Sequence, residues 1–459
     1  MAKIICITSG LTGILNASFE LVEQLQSAGH ELIYASPRKV GERVALQKIP
    51  FVQLPEIRER DDDDVPTFAG HRWRKLIRLK YKFEHLALRK QAALKRIYPT
   101  AFEELLEKEQ ADLYIIDIEL HEYIFVAFSK KQNFVLLSQW FSLWKRPGLP
   151  YLLHDTIPGK GSRGKLWRIE WSWQLVKLKR GYTFWKKRWS SGMTNRRSAL
   201  LALAEETNFP RKWIKENYWP GPFTYDQLPV ISMTMEEMEF PHERRPNLFY
   251  VGAMVKEQRV EKKLTAADEK RLVQAIDYKR KNGAALIYCS VSTLSQGDLR
   301  LVQNVIEAVN KKPEWVLVIG MGGLIDAKDL DQLSDNVFAF KWLPQLRVLK
   351  EANCSINHGG IHTINECIHF KVPMLIYSGK RSDQNGCAAR VAYHQLGIMA
   401  DKDQDGSEQI KNNLEKVLQN KVYQQQIAAL HSQYLKKKED CFVGQIINSF
   451  LRKNKLDKQ

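Results

Sequence analysis

The stretch Asn357-His358-Gly359-Gly360-Ile361-His362-Thr363-Ile364-Asn365-Glu366 decides the reading of this chain. Ahead of it, the apolar run 352–356 reads as a short strand, and behind it residues 363–370 carry helical spacing. Two glycines stand between. A strand-turn-helix of this kind points backbone N–H groups and the positive end of the helix dipole at whatever lies before the helix, which favours an anion. Glycine lets a ligand approach the backbone closely. His358 adds a side-chain donor, and Glu366, one turn into the helix, can accept hydrogen bonds from sugar hydroxyls.

Other short motifs surround it in a definite order. Trp342-Leu343-Pro344-Gln345 precedes it, and Lys371-Val372-Pro373-Met374, Ser382-Asp383-Gln384-Asn385 and Arg390-Val391 follow. Tyr250-Val251-Gly252 and Tyr288-Cys289-Ser290 come earlier. The series resembles the donor-binding signature of the nucleotide-sugar glycosyltransferases of the UDP-glucuronosyl and UDP-glucosyl type. That resemblance implies an α/β chain of GT-B fold, two doubly wound parallel-sheet domains facing each other across a cleft. It implies a UDP-sugar as co-substrate. Position by position, Trp342 would stack on the nucleobase with Gln345 beside it, and Ser290 would lie on the first strand of the donor site. His358 and the Gly359-Gly360 backbone would hold the diphosphate, assisted by Thr363. Glu366 would take the ribose hydroxyls, and Asp383 and Gln384 the transferred sugar. Two departures leave the sugar open: Ser292 and Cys387 stand where the family usually has Gly and Asn.

The 459 residues suffice for two domains of about 200 each, and their 44% apolar and 27% charged content is that of a globular protein. No window approaches the ~20 apolar residues of a membrane span. The opening Met1-Ala2-Lys3-Ile4-Ile5-Cys6-Ile7 is better read as a first strand than as a signal peptide. Six scattered cysteines form no metal-ligand spacing, so neither a disulfide framework nor a metal is expected, and the location read from this is cytoplasmic. The run Asp61-Asp62-Asp63-Asp64 contains a DxD pattern but lacks a preceding apolar strand, and reads as a solvated loop.

The net charge of +18 is regional. Residues 71–96 hold ten Lys and Arg against one acid, and residues 159–198 twelve against one. The first of these reads as one long basic helix over 72–97, with Trp73, Leu76, Leu79, Phe83, Leu86 and Ile97 in its apolar stripe. The second lies where tryptophans concentrate, nine of the twelve falling between Trp140 and Trp219. Leu166, Ile169, Trp173 and Val176 form one helical stripe there, with Trp167, Trp171, Leu175 and Leu178 beside it. Two readings stand: a membrane-surface helix with interfacial tryptophans and a basic border, or the roof of an acceptor pocket. Peripheral membrane contact through 71–96 and 159–198 is accordingly an expected partnership beside the nucleotide sugar and a small-molecule or lipid acceptor. No nucleic-acid module accompanies the basic residues, so no nucleic acid is expected.

The domain reading is an N-terminal acceptor-binding domain over 1–228, a linker over 229–246, a donor domain over 247–430 and a C-terminal helix over 431–459 crossing back. Relatives implied by the resemblance carry a catalytic histidine in the first loop; counted back from Gly29-His30, its place falls at Ile14. Isoleucine cannot take a proton. Asp117 at a strand end, with Glu119 and His121 close behind, offers a substitute base. Alternatively, an acceptor that is already ionised needs none, and a basic cleft would concentrate it. A third reading is a catalytically impaired chain that binds nucleotide sugar as a scaffold or regulatory subunit. The reaction expected on the first two is hexosyl transfer from a UDP-sugar to an apolar, anionic or lipid acceptor, inverting and metal-independent.

Overall fold

The computed structural model describes the chain except residues 58–72, 142, 193, 217–220, 262, 291–298, 323–329, 331–332, 381, 441 and 457–459. The acidic run at 61–64, the Ser292 departure and Trp219 fall outside the described residues.

The first half contributes β1 (Lys3–Ile7), β2 (Glu31–Ser36), β3 (Phe51–Gln53), β4 (Leu113–Asp117), β5 (Phe134–Ser138), β6 (Ile214–Glu216), β7 (Phe223–Tyr225), β8 (Val230–Ser232) and β9 (Leu248–Tyr250). The second contributes β10 (Ala285–Ser290), β11 (Trp315–Gly320), β12 (Val337–Phe340), β13 (Cys354–Asn357), β14 (Met374–Tyr377) and β15 (Gly397–Ala400). One sheet runs β3-β2-β1-β4-β5-β8-β9 and the other β12-β11-β10-β13-β14-β15, with β6 and β7 forming a separate antiparallel ribbon. The pairs within both large sheets are parallel.

Parallel strands covered by helices on both faces must be apolar on both faces. Ile4, Ile5, Cys6 and Ile7 of β1 are accordingly inaccessible, as are Val316, Leu317, Val318 and Ile319 of β11. In such sheets ligands collect beyond the carboxyl ends of strands where the order reverses, here between β1 and β4 and between β10 and β13. Asp117 ends β4 and Asn357 ends β13.

Three boundaries differ from the sequence reading. Residues 229–246 are not a linker: β8 and β9 complete the first sheet, which therefore extends to Tyr250 rather than 228. The basic segment is two helices, Arg74–Glu84 and Leu86–Ile97, broken at His85. The His85 ring stacks on Tyr81 at 4.1 Å and its Nδ1 lies 3.1 Å from the Tyr81 carbonyl oxygen, competing with the helix's own hydrogen bonding. Trp73 and Leu76, members of the expected apolar stripe, are 63% and 58% exposed. Finally, the Lys421–Glu439 helix packs Ile427, Leu430 and Tyr434 beside Ile364 and Ile368, and its end reaches the first helix, Thr12–Ser27, through a Lys438–Glu20 ion pair at 2.7 Å. The Phe442–Leu456 helix then lies across that first helix, where Val443, Ile446 and Ile447 join Leu21, Val22 and Leu25.

Candidate functional site

At the end of β13 the chain turns through Gly359 at φ +81°, a backbone state that disfavours any side chain with a Cβ. Asn357 fixes this turn by accepting the Gly359 N–H at 2.9 Å. A Cβ on Gly359 would lie 3.0 Å from both the Gln384 carbonyl oxygen and Ile376 Cγ2. Gly360 then caps the Ile361–His369 helix, and a Cβ there would meet His358 Nε2 at 3.1 Å. The glycine pair and the imidazole therefore form one surface at a helix N-terminus, as an anion cradle requires.

Behind that surface lies a hydrogen-bonded floor. Gln345 Oε1 accepts the Tyr288 hydroxyl at 3.2 Å and the Ser290 hydroxyl at 3.4 Å. Gln345 Nε2 donates to Glu366 and lies 3.5 Å from Thr363 Oγ1. The other Glu366 oxygen accepts Arg259 Nη1 at 3.1 Å, and Arg259 also pairs with Glu261. Burial raises the Glu366 pKa, against the opposing pull of Arg259. Trp342 is 36% exposed. Ser290, Gln345, Thr363 and Glu366 are thus brought together as the motif order suggested, with Arg259 added. No sequence signal marked Arg259, which lies in the irregular segment after β9.

Asp383 and Gln384 lie beside the glycine turn, each hydrogen-bonded within the protein. Asp383 is 5% exposed; its carboxylate accepts the Ile361 N–H at 3.3 Å and the Cys387 thiol at 3.3 Å. It caps the helix from below, and burial raises its pKa. Gln384 Oε1 accepts the Gly379 N–H at 2.9 Å and so shapes the loop after β14.

Across the cleft, Asp117 accepts the Ser9 N–H at 2.9 Å and the Glu119 N–H at 3.1 Å. At 1% exposure it organises the loops after β1 and β4. His121 is corrected outright as a candidate base. It is 1% exposed, hydrogen-bonds the Tyr225 hydroxyl at 2.8 Å and packs edge-on against Phe223, inside the domain core. Burial lowers its pKa to about 3.

The imidazole that does reach the cleft comes from the opposite domain. His362, second residue of the Ile361–His369 helix, contacts Gln139 Oε1 through Nε2 at 2.7 Å. Ile14 is buried in the core, whereas the neighbouring Gly13 faces His362: a Cβ on Gly13 would sit 2.5 Å from His362 Cδ2. Gln139 also hydrogen-bonds Glu119, which accepts Trp140 Nε1 at 2.7 Å. Since the Gln139 amide nitrogen serves Glu119, its oxygen faces His362, so Nε2 carries the proton and Nδ1 is the lone-pair nitrogen. Burial, with the Asp117 charge next, pushes Glu119 up to about 8. Burial and then Arg259 lower His362 to about 4. His362 was visible inside the decisive stretch, but only packing of the two domains reveals its direction.

Two facing parallel-sheet domains with this site between them define a GT-B protein. The solved glycotransferase of kitacinnamycin aligns over 98% of both chains at 16% identity and TM-score 0.66. CalG4, the calicheamicin glycosyltransferase, aligns over 99% of both at 15% identity and TM-score 0.62. Residues 228–438 match the model of the UDP-glucoronosyl and UDP-glucosyl transferase family. Among named relatives, the UDP-glucosyltransferase YdhE of Bacillus subtilis is 33% identical over 23% of this chain and 27% of its own length. The zeaxanthin glucosyltransferase of Pantoea ananas is 23% identical over 45% of this chain and 46% of its own. This chain thus spans less than half the length of either relative.

Proposed function

We propose that this protein is a glycosyltransferase that moves a hexose from a UDP-sugar to an apolar, anionic or lipid acceptor, with inversion and without a bound metal. The observation that carries the reading is the Gly359-Gly360 turn at a helix N-terminus, backed by the Ser290–Gln345–Glu366 floor. In this mechanism an acceptor oxygen attacks the anomeric carbon as the bond to the diphosphate breaks. The departing negative charge develops against the helix N-terminus, the glycine amides and His358, donors fixed before the reaction begins.

The proton of a neutral acceptor hydroxyl passes to Nδ1 of His362. Support for this comes from its place beside Gly13 and from Gln139 and Glu119, which hold its other nitrogen protonated. A pKa near 4 keeps the ring neutral at pH 7, ready to accept a proton. A diphosphate bound beside it raises that basicity by opposite-charge attraction. Glu119 is the second reading for the base, favoured by its raised pKa.

Calorimetric titration with UDP and then UDP-glucose, followed by assay for slow release of free sugar, tests the whole reading. Binding with release supports a working transferase. Binding without release, across a panel of apolar and anionic acceptors, favours a nucleotide-sugar-binding protein instead. Failure to bind either ligand removes the UDP-sugar reading.

A further inference from the structure

The Leu166–Ser190 helix is 25 residues long, yet among its described side chains only Ile169 and Trp173 are buried. Trp173 anchors one end: its Nε1 donates to the Leu149 carbonyl at 2.7 Å and its ring meets Tyr151 at 5.2 Å. At the other end Lys82 donates to the Ser190 carbonyl at 2.8 Å, and Phe83 touches the edge of the exposed Trp189 ring at 5.6 Å. The opposite side of the helix faces outward. Trp167, Trp171, Leu175, Leu178, Trp185 and Trp189 are between 48% and 70% exposed. Tyr182, 63% exposed and stacked on Trp185 at 6.2 Å, completes the series. Steps of four, four, three, four, three and four residues place all seven on one straight stripe, about 33 Å long at ~1.5 Å per residue. This is not the Leu166–Ile169–Trp173–Val176 stripe, whose middle members point inward.

Exposed apolar surface this extensive marks an interaction face. Charge selects the occupant. The helix holds seven Lys and Arg against one acid, Glu170, which is already paired with Lys145 at 2.6 Å. Lys177, Lys179, Lys186, Lys187 and Arg188 are all exposed. A second copy laid stripe to stripe would bring these cations together without carboxylates to meet them. A layer of anionic headgroups meets them all, while tryptophans sit at the boundary between apolar and wet. Arg188 also borders a cavity of about 700 Å³ whose wall includes Lys90, Arg197 and Arg211 against one acid, Glu205. That composition suits a phosphate-bearing headgroup. No described helix is long and apolar enough to cross a membrane, so the contact is peripheral.

We propose that this helix docks the protein on an anionic lipid bilayer, with the Trp167-to-Trp189 stripe in the headgroup layer and its basic flanks on the phosphates. The anchor of the helix links this face to the sugar-donor half. Just beyond Leu149, the Leu153 carbonyl accepts Asn385 Nδ2 at 3.0 Å, and the Leu152 carbonyl fills the space beside Gly386. Docking stands without the transferase reading; where that reading holds, the acceptor is drawn from the bilayer.

The test is flotation of the full chain with vesicles of neutral phosphatidylcholine alone or with about a third phosphatidylglycerol. Binding is expected to the anionic vesicles only, falling several-fold at high salt, with a blue shift of tryptophan emission. The W167S/W171S/W185S variant, changing outward-facing residues only, should reduce partitioning at least about tenfold. Its UDP affinity, measured in parallel, should be unchanged, which separates loss of docking from loss of fold. No binding to anionic vesicles, or equal binding by wild type and variant, overturns the proposal. So does a homodimer in light scattering that the same substitutions abolish, since the stripe would then belong to a second copy.

Discussion

At the scale of single residues, the proposed chemistry turns on two histidines with different neighbours. His358 lies against Gly360 in the cradle, and replacing it with alanine should weaken UDP binding about 10- to 100-fold, the equivalent of one charge-assisted hydrogen bond. Unchanged affinity in calorimetry would remove His358 from the site. His362 faces the other domain, so His362→Ala should lower kcat for a neutral hydroxyl acceptor about 10²- to 10⁴-fold while leaving UDP affinity nearly intact. The pH profile separates the two candidate bases. A base must be deprotonated to act, so activity falls as pH drops through its pKa. With His362 as base, kcat/KM stays level from neutrality down towards pH 4; with Glu119 it climbs through about pH 8. A rising limb near 8 that vanishes in Glu119→Gln would reassign the proton to Glu119.

At the scale of elements, one turn sets the donor site. Gly359 has a positive φ and tight contacts with Gln384 and Ile376, so Gly359→Ala meets both conformational strain and crowding. The conformational part alone costs about 1–2 kcal/mol, which should lower the Tm by roughly 5 °C for a domain of this size. UDP affinity should fall as well, because the amides of the cradle move with the turn. Retained Tm and affinity would mean that the turn tolerates a Cβ and that its backbone is not the anion contact. The same scale explains the basic segment. Its charge pattern was legible from composition, but the break at His85 was not, because a side chain folding back on Tyr81 leaves no periodic trace.

For the whole molecule, the two halves are clamped through a buried ion pair. Arg390 of the Gln384–Tyr393 helix donates through Nε to Glu239 at 2.9 Å, between the rings of Phe141 and Phe240 at 4.8 and 4.6 Å. Glu239→Gln should cost about 3–5 kcal/mol by stranding the Arg390 charge, a loss visible in chemical denaturation. Burial works to raise the Glu239 pKa, but Arg390 and Arg146 outweigh it and hold it below the ordinary glutamate value. The sign follows: the unfolded chain takes up the proton first. The pair's full contribution is present above about pH 4.3 and is lost as pH falls through the lower folded value. Acid denaturation that is identical in wild type and Glu239→Gln would argue against this clamp.

What the sequence determined by itself was local and ordered. The glycine pair and the apolar strand cores need only near neighbours along the chain, and the donor motifs keep their order whatever the rest of the fold does. That Ser290, Gln345, Thr363 and Glu366 lie together was legible for that reason. Tertiary structure decided whatever depends on direction. It turned His121 into the core, set Asp383 under a helix, brought His362 to Gly13 and paired Arg259 with Glu366. It also chose which side of the Leu166–Ser190 helix faces outward, since apolar residues surround that helix and periodicity alone cannot say which of them the protein covers. The physical reason is the same throughout: a residue's type fixes what it can bond to, and only packing fixes what lies within reach.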